Sequence, residues 1–345
     1  MMTLMEGLHS LPGNKERARL IIGQRGLGKT VLLLELADYA RKNDYIVASP
    51  TVVTGGMLDR IMEKLEKDGE KEFARSKAKI TGGSVGLFGF SAGIQTEMKE
   101  EPKRSFAYRL SEFCEKANAI GKGVLILVDE VQANNAELKQ LIIAYQEMVG
   151  EGRNIAVVFA GLPIAIAKTL NEHVLTFFNR AARLYLEPID ISEIEIYFRS
   201  SFEKLKLKVR DKWIRQAAEE TGGSPYMMQL TGHYITVSAS DEGELEKNAF
   251  VRALEYAKKE FVTDICETTL APLSEKDMAF LKAMSSDDRE SAVKALADRL
   301  RVDAAYIQRY KTRLIQSGII RQPRRGYVAY AVPYLQEYFQ NEKMA

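Results

Sequence analysis

Residues 23–30, Gly23-Gln24-Arg25-Gly26-Leu27-Gly28-Lys29-Thr30, spell the pattern G-x-x-x-x-G-K-[ST]. Just before them, Arg19-Leu20-Ile21-Ile22 is a short apolar run suited to a buried strand, and just after them Val31-Leu32-Leu33-Leu34-Glu35-Leu36-Ala37 opens a run of good helix formers. Strand, glycine-rich turn and helix are the setting in which this pattern works as a phosphate-binding loop. Glycines let the backbone wrap closely around a polyphosphate, so that successive N–H groups and the helix N-terminus face the anion. Lys29 is then expected to reach the β- and γ-phosphates and the Thr30 hydroxyl to ligate Mg²⁺, with Gly23 to Gly28 and Val31 completing the cradle.

The chain has 345 residues, more than one ordinary core, which predicts two or three domains. Hydrophobic residues make up 46% and charged residues 28%, which excludes a disordered or collagen-like chain. With 49 basic against 47 acidic residues the net charge is +2, so any basic surface has to be local. Cys114 and Cys266 are far apart and lack metal-ligand spacing, and are read as inert thiols of a reducing compartment. The absence of any eighteen-residue apolar window, and of a basic segment followed by an apolar one at the start, predicts a cytoplasmic protein.

Further buried strands are expected at Tyr45–Ala48, Val124–Val128, Ile155–Ala160 and Leu184–Leu186, with helices near Met57–Lys67, Arg104–Asn118 and Glu137–Val149 between them. Alternation of this kind predicts an α/β fold, a parallel sheet with helices on both faces. Glycines between Ile80 and Gln95 argue against a helix and predict a β-hairpin insert at 80–97, whose Phe88 and Phe90 either form an exposed tip or pack back on the domain. From Ile191 the pattern turns helical, with segments near 191–206, 210–220, 225–238 and 247–264. The expected division is a core at 1–190, a helical lid at 191–269 and a last unit at 270–345.

The strand Val124–Val128 ends in Asp129-Glu130. An acidic residue at the tip of a central strand beside a phosphate loop suits the Mg²⁺ hydration shell, the role expected of Asp129. Glu130, one residue on, is placed to orient and deprotonate an attacking water.

GQRGLGKT, LILVDE, a strand ending FAGLP, the segment TGGSPYMMQL and the C-terminal unit follow in an order that resembles AAA+ and STAND-type P-loop ATPases, particularly their origin-recognition-like bacterial and archaeal members. The resemblance spans nearly the whole chain. It implies a P-loop NTPase that binds ATP at the junction of core and lid, and the GTPase base-reading sequence N-K-x-D does not occur. It also implies that Arg180 and Arg183, just before the fifth strand, stand where related proteins place an arginine finger acting in trans. The pattern is departed from in three places. The strand ending Phe159-Ala160-Gly161 offers no polar sensor. Gly223-Ser224-Pro225 replaces the lid arginine and looks like the G-x-P signature of STAND proteins, with Pro225 either shaping the lid against the nucleotide or serving as a first-turn proline. Only 22 residues precede the loop, so the segment that cradles adenine in the family is missing or shortened.

Residues 274–332 fit a winged helix: helices at Ser274–Met284, Glu290–Leu300 and Asp303–Ser317, then wing strands at Ile319–Arg321 and Tyr327–Tyr330. Between Arg301 and Arg325 stand seven basic residues and one acidic residue, Asp303. Arg309, Lys311, Arg313, Arg321, Arg324 and Arg325 are therefore candidates for phosphate contacts with double-stranded DNA, and Tyr306 and Gln308 for base edges. The alternative is a signalling or scaffold ATPase whose winged helix binds a protein, or self-associates, instead of binding DNA.

Overall fold

The computed structural model describes residues 2–80, 104–171 and 178–344. They gather into two compact units, the first made of the described parts of Met1–Ile22, Lys29–Gly161 and Ala165–Leu184, the second of Gly23–Gly28, Leu162–Ile164 and the described parts of Tyr185–Ala345.

Chain order in the first part is α1 (Met2–His9), β1 (Ala18–Ile22), α2 (Lys29–Lys42), β2 (Tyr45–Val52), α3 (Met57–Ile80), α4 (Phe106–Ala119), β3 (Gly123–Asp129), α5 (Ala136–Gly150), β4 (Ile155–Gly161), α6 (Pro163–Leu170) and β5 (Ala182–Tyr185). The strands form one sheet in the order β2-β3-β4-β1-β5. β2 with β3, β3 with β4 and β4 with β1 all pair parallel. Every residue of β1, β3 and β4 is buried. Since successive side chains point to opposite faces, both faces of the sheet centre are covered, which is why these strands read as unbroken apolar runs. α2 follows from Leu33, Leu36, Ala37 and Ala40, whose helical spacing gives it one buried face. Ile80 closes α3; the rest of the hairpin expected at 80–97, Phe88 and Phe90 included, lies outside the described residues.

The register places the two chemical motifs at one edge. Ile22, the last residue of β1, is level with Gly161 of β4, and Phe159 of β4 is level with Val128 of β3. The segments after β1 and β3 therefore leave the sheet at the same, C-terminal, end. In open α/β sheets ligands bind there, where strand order reverses.

The later elements are α7 (Ile191–Lys204), α8 (Asp211–Glu220), α9 (Pro225–Ser238), α10 (Lys247–Phe261), a π-helical turn Val262–Glu267, α11 (Thr268–Leu270), α12 (Glu275–Met284), β6 (Ser291–Ala292), α13 (Val293–Leu300), α14 (Ala304–Gln316), β7 (Ile320–Arg321), β8 (Tyr327–Tyr330) and α15 (Leu335–Met344). One core packs α7, α8 and α10, with Trp213 stacked on Phe250 at 5.1 Å between ring centroids and Phe198 on Phe202 at 5.4 Å. A second runs without a break from Met227 and Phe261 to Phe280, Leu296, Ile307, Leu314, Val328 and Phe339. β6, β8 and β7 pair antiparallel into a small sheet. Among the described residues no helix is long and apolar enough to cross a membrane.

Candidate functional site

Gly23 follows β1 and is buried, while Gln24, Gly26, Leu27 and Gly28 are half-buried and Arg25 is exposed. Gly26 and Gly28 take φ of +77° and +75°. These are left-handed conformations that cost an L residue about 1–2 kcal/mol, and glycine adopts them without that cost where the loop turns. Lys29 begins α2, so the loop runs directly into a helix N-terminus, where the dipole favours negative charge. Val31, in the first turn, is 50% exposed.

Thr30 and Asp129 meet. The Thr30 hydroxyl donates to Asp129 Oδ2 at 2.5 Å, and the other carboxylate oxygen accepts the backbone N–H of Glu130 at 2.8 Å. Asp129 is 4% exposed and Glu130 is exposed. The sequence-predicted metal pair is thus in direct contact across 99 residues of chain. A hydroxyl and a carboxylate are hard oxygen donors, and the donor set fits Mg²⁺, an ion held by one or two protein groups together with phosphate oxygens and water. Glu130 has φ +52°, uncommon for a residue with a long side chain. Backbone strain of this kind gathers at functional sites. Here it turns the chain sharply at the strand tip, so that Asp129 stays buried while Glu130 reaches solvent.

The loop's middle is held by the start of α9. Ser224 caps that helix by accepting the Met227 N–H, and Pro225 occupies the first turn. The Gly26 carbonyl accepts the Tyr226 N–H at 3.3 Å and the Ser224 hydroxyl at 3.4 Å. Pro225 also lies over Gly28, where a Cβ would sit 3.7 Å from the proline ring. Beside the loop opens a cavity of about 560 Å³, lined by Gln24, Arg25 and Leu27, by residues 186–188, by Ser224, and by Arg321 with residues 330–333. That is the size of a small-molecule site.

The N-terminal segment sits elsewhere. Leu4 and Leu8 of α1 are buried, the Tyr45 hydroxyl donates to the Leu8 carbonyl at 2.6 Å, and Arg17 bonds the Asn154 side chain. Tyr45 starts β2 and Asn154 precedes β4, so α1 covers the N-terminal end of the sheet, opposite the C-terminal ends of β1 and β3.

Arg180 ends a 3-10 turn, Phe178–Arg180, anchored by Phe178 against Phe159. Arg183 lies on β5, at the sheet edge, and both arginines are exposed. In the C-terminal module the basic side chains divide. Arg313 Nε donates to Asp277 at 2.9 Å and its Nη2 to Ser274 at 2.9 Å. Arg324 donates to Glu290 at 2.9 Å and stacks on Tyr327 at 3.7 Å, and Lys311 donates to Gln322 at 3.2 Å. Tyr306 lies against Tyr310, ring centroids 4.4 Å apart. Gln308, Arg309 and Arg325 are exposed, and Arg321 is exposed at the cavity rim.

Asp277 is 2% exposed and serves both the capping box of α12 and Arg313. Asp277→Ala removes the cap's partner and the acceptor of a guanidinium at once, and is expected to destabilise the module by about 2–3 kcal/mol. Urea unfolding followed by near-UV circular dichroism checks this; a change below 0.5 kcal/mol, roughly a surface substitution's effect, would make the pair incidental. Sequence reasoning missed this partnership and the contacts of Ser224 and Tyr226 with Gly26. A serine followed by proline just after two glycines does announce a capped helix start, but not what it touches.

The sheet order, the loop after β1 and the acidic tip of β3 define the fold of the AAA+ P-loop ATPases of origin-recognition-like kind. Solved structures agree. The chain is similar to the Walker-type ATPase of Pyrococcus abyssi, at 16% identity over 98% of this chain and 94% of that one, with a TM-score of 0.66. It is similar too to the ORC2 protein of Aeropyrum pernix, at 13% identity over 95% and 88%, with TM-scores of 0.64 for its ADPNP–ADP complexes and 0.52 for its ADP form. At these identities the likeness is one of fold. A family model described as a domain of unknown function (DUF8462) matches residues 263–339, from the π-helical turn into α15. No curated protein matches the chain by sequence.

Proposed function

We propose that this chain is an ATP-binding, slowly hydrolysing switch ATPase, whose helical segment 191–269 acts as a lid and whose C-terminal residues 270–345 form a winged helix that contacts duplex DNA. One observation carries the nucleotide part: Thr30, at the end of the phosphate loop, is bonded to Asp129, beside the exposed Glu130. The loop's N–H groups and Lys29 bind and orient the phosphates. Thr30 and Asp129 supply the oxygen donors for Mg²⁺, which when bound neutralises charge on the phosphate oxygens. Glu130 holds and deprotonates the attacking water, and the exposed Arg180 and Arg183 are available to a neighbouring copy. The cavity bordered by Leu27, Ser224 and Arg321, beside the loop, is the seat we assign to base and ribose.

ATP use is supported by the fold shared with the Pyrococcus Walker-type ATPase and with ORC2, which holds ADPNP and ADP. The test is ATP turnover with and without duplex DNA. The DNA part rests on Arg309 and Arg325, exposed basic residues of the stripe, with Gln308 and Tyr306 beside them; Arg313 and Arg324 are exposed too but are committed to carboxylates. Reversing Arg309 and Arg325 to glutamate is expected to weaken duplex binding at least about tenfold and to reduce the salt slope by about two, with ATP affinity unchanged. The internal pairing of Arg313 and Arg324 favours the second reading, a scaffold whose winged helix binds protein. Absence of any salt-sensitive duplex binding by the unaltered chain would select it.

A further inference from the structure

Gly26 is held by a relay that continues away from the loop. In a trans peptide the carbonyl and the following N–H point in opposite directions. A Gly26 carbonyl fixed on Tyr226 N–H and Ser224 hydroxyl therefore turns the Leu27 N–H to the opposite side of that peptide. Backbone N–H groups are the anion-binding elements of such a loop, so the first turn of α9 sets the direction of one of them.

Tyr226 is itself restrained. Its hydroxyl donates to Asp264 Oδ2 at 2.5 Å, and Asp264 belongs to the π-helical turn Val262–Glu267. Burial, reinforced by the bond to Asp264, pushes the Tyr226 phenol up to about 12, so it stays a donor at neutral pH. Ile265, the next residue of the turn, closes the circuit, because a Cβ on Gly26 would lie 3.7 Å from Ile265 Cδ1. Cys266 then bonds the Pro333 carbonyl at 3.5 Å, and Phe261 packs edge-on against Tyr334 at 5.9 Å between ring centroids. π-Helical turns are rare and recur at functional positions, and this one carries contacts both toward the loop, through Asp264 and Ile265, and to the C-terminal module, through Cys266.

We propose that Tyr226 is a positioning residue for polyphosphate binding, and that the Tyr226–Asp264 pair is the latch through which occupancy of the phosphate loop reaches the π-helical turn and the C-terminal module. The inference rests on reading residues 23–30 as an ATP site. A nucleotide phosphate drawing the Leu27 N–H toward itself rotates the Gly26 peptide, pulls on Tyr226 through its N–H, and transfers the strain to Asp264.

The full-length chain and its Tyr226→Phe and Asp264→Asn variants test this with a fluorescent ATP analogue, by stopped-flow release and by hydrogen exchange of residues 262–268 with and without Mg-ATP. Each variant is expected to release nucleotide about tenfold faster or more, the loss of one charge-assisted hydrogen bond. The unaltered chain is expected to slow exchange in the turn when Mg-ATP binds, and each variant to lose that slowing; no slowing in the unaltered chain overturns the latch. A purely structural role changes melting temperature and basal exchange, yet keeps that nucleotide-dependent difference. Release rates and protection like those of the unaltered chain in either folded variant overturn the latch while leaving the ATP site standing. Failure of the unaltered chain to bind the analogue overturns both. If Tyr226→Phe does not fold, Asp264→Asn decides the matter alone.

Discussion

Lys29→Ala is expected to abolish ATP binding without unfolding the chain. The ammonium is the one side-chain cation inside the 23–30 pattern placed directly at the start of α2, where its charge adds to the helix dipole. A hydrogen bond to a charged group contributes about 1.5–3 kcal/mol, and Lys29 is expected to make one to each of the β- and γ-phosphates, so its removal lowers affinity by about a hundredfold or more. Alanine is the best helix former, so α2 keeps its first turn. The buried face Leu33, Leu36, Ala37 and Ala40 is untouched. Two measurements together decide. Equilibrium titration with fluorescent ATP should show no saturation in the micromolar range. ATP at a hundredfold over the dissociation constant should stabilise the unaltered chain by about 2.7 kcal/mol and leave the variant's melting curve in place. A variant that keeps both affinity and thermal shift would mean the nucleotide lies elsewhere.

What could be read in the sequence, and what could not, follows from range. The phosphate loop needs contiguous residues with fixed backbone requirements, so Gly26, Gly28, Lys29 and Thr30 announce it. β3 and β4 announce themselves because a strand buried on both faces has to be apolar throughout. Asp129 was found because it ends such a strand, and its bond to Thr30 follows from two parallel strands, β1 and β3, flanking β4. Contacts that join distant segments through one atom left no pattern. Nothing around Gly26 indicates that Ser224, 198 residues on, holds its carbonyl. Nor does the basic character of Arg313 reveal that a buried aspartate 36 residues earlier has claimed it. A charge stripe in sequence is a sum over side chains, and pairing subtracts from it. α1 and α15 were missed because each shows only one apolar i, i+4 pair, Leu4 with Leu8 and Leu335 with Phe339. The π-helical turn was read as a continuation of its neighbour, since one extra residue per turn hardly changes an apolar rhythm.

Glu130→Gln should separate binding from hydrolysis, and the reason lies in how the strand tip is built. The contact that orders this corner on the Glu130 side is its backbone N–H to Asp129, which the substitution leaves intact, and glutamine matches glutamate in size and in its ability to hold φ near +52°. Thr30 and Asp129 keep their own bond, so the oxygen donors we propose for the metal are unchanged. What is lost is a carboxylate able to accept a proton from water. Removing a general base lowers turnover by about 10²–10⁴-fold, while binding, which we assign to the loop and Lys29, should stay within about twofold of the starting affinity, a change worth under 0.5 kcal/mol. Single-turnover hydrolysis of radiolabelled ATP, with the dissociation constant measured on the same preparation, yields both numbers. Asp129→Asn supplies the contrast: it weakens the acceptor of the Thr30 hydroxyl, and its defect should be relieved in part by raising Mg²⁺, whereas that of Glu130→Gln should not respond. Turnover by Glu130→Gln at more than about a tenth of the original rate is far above what loss of a general base permits. Water would then be activated by another group, and the exposed carboxylate at the tip of β3 would be a consequence of the sharp turn after Asp129 and not its purpose.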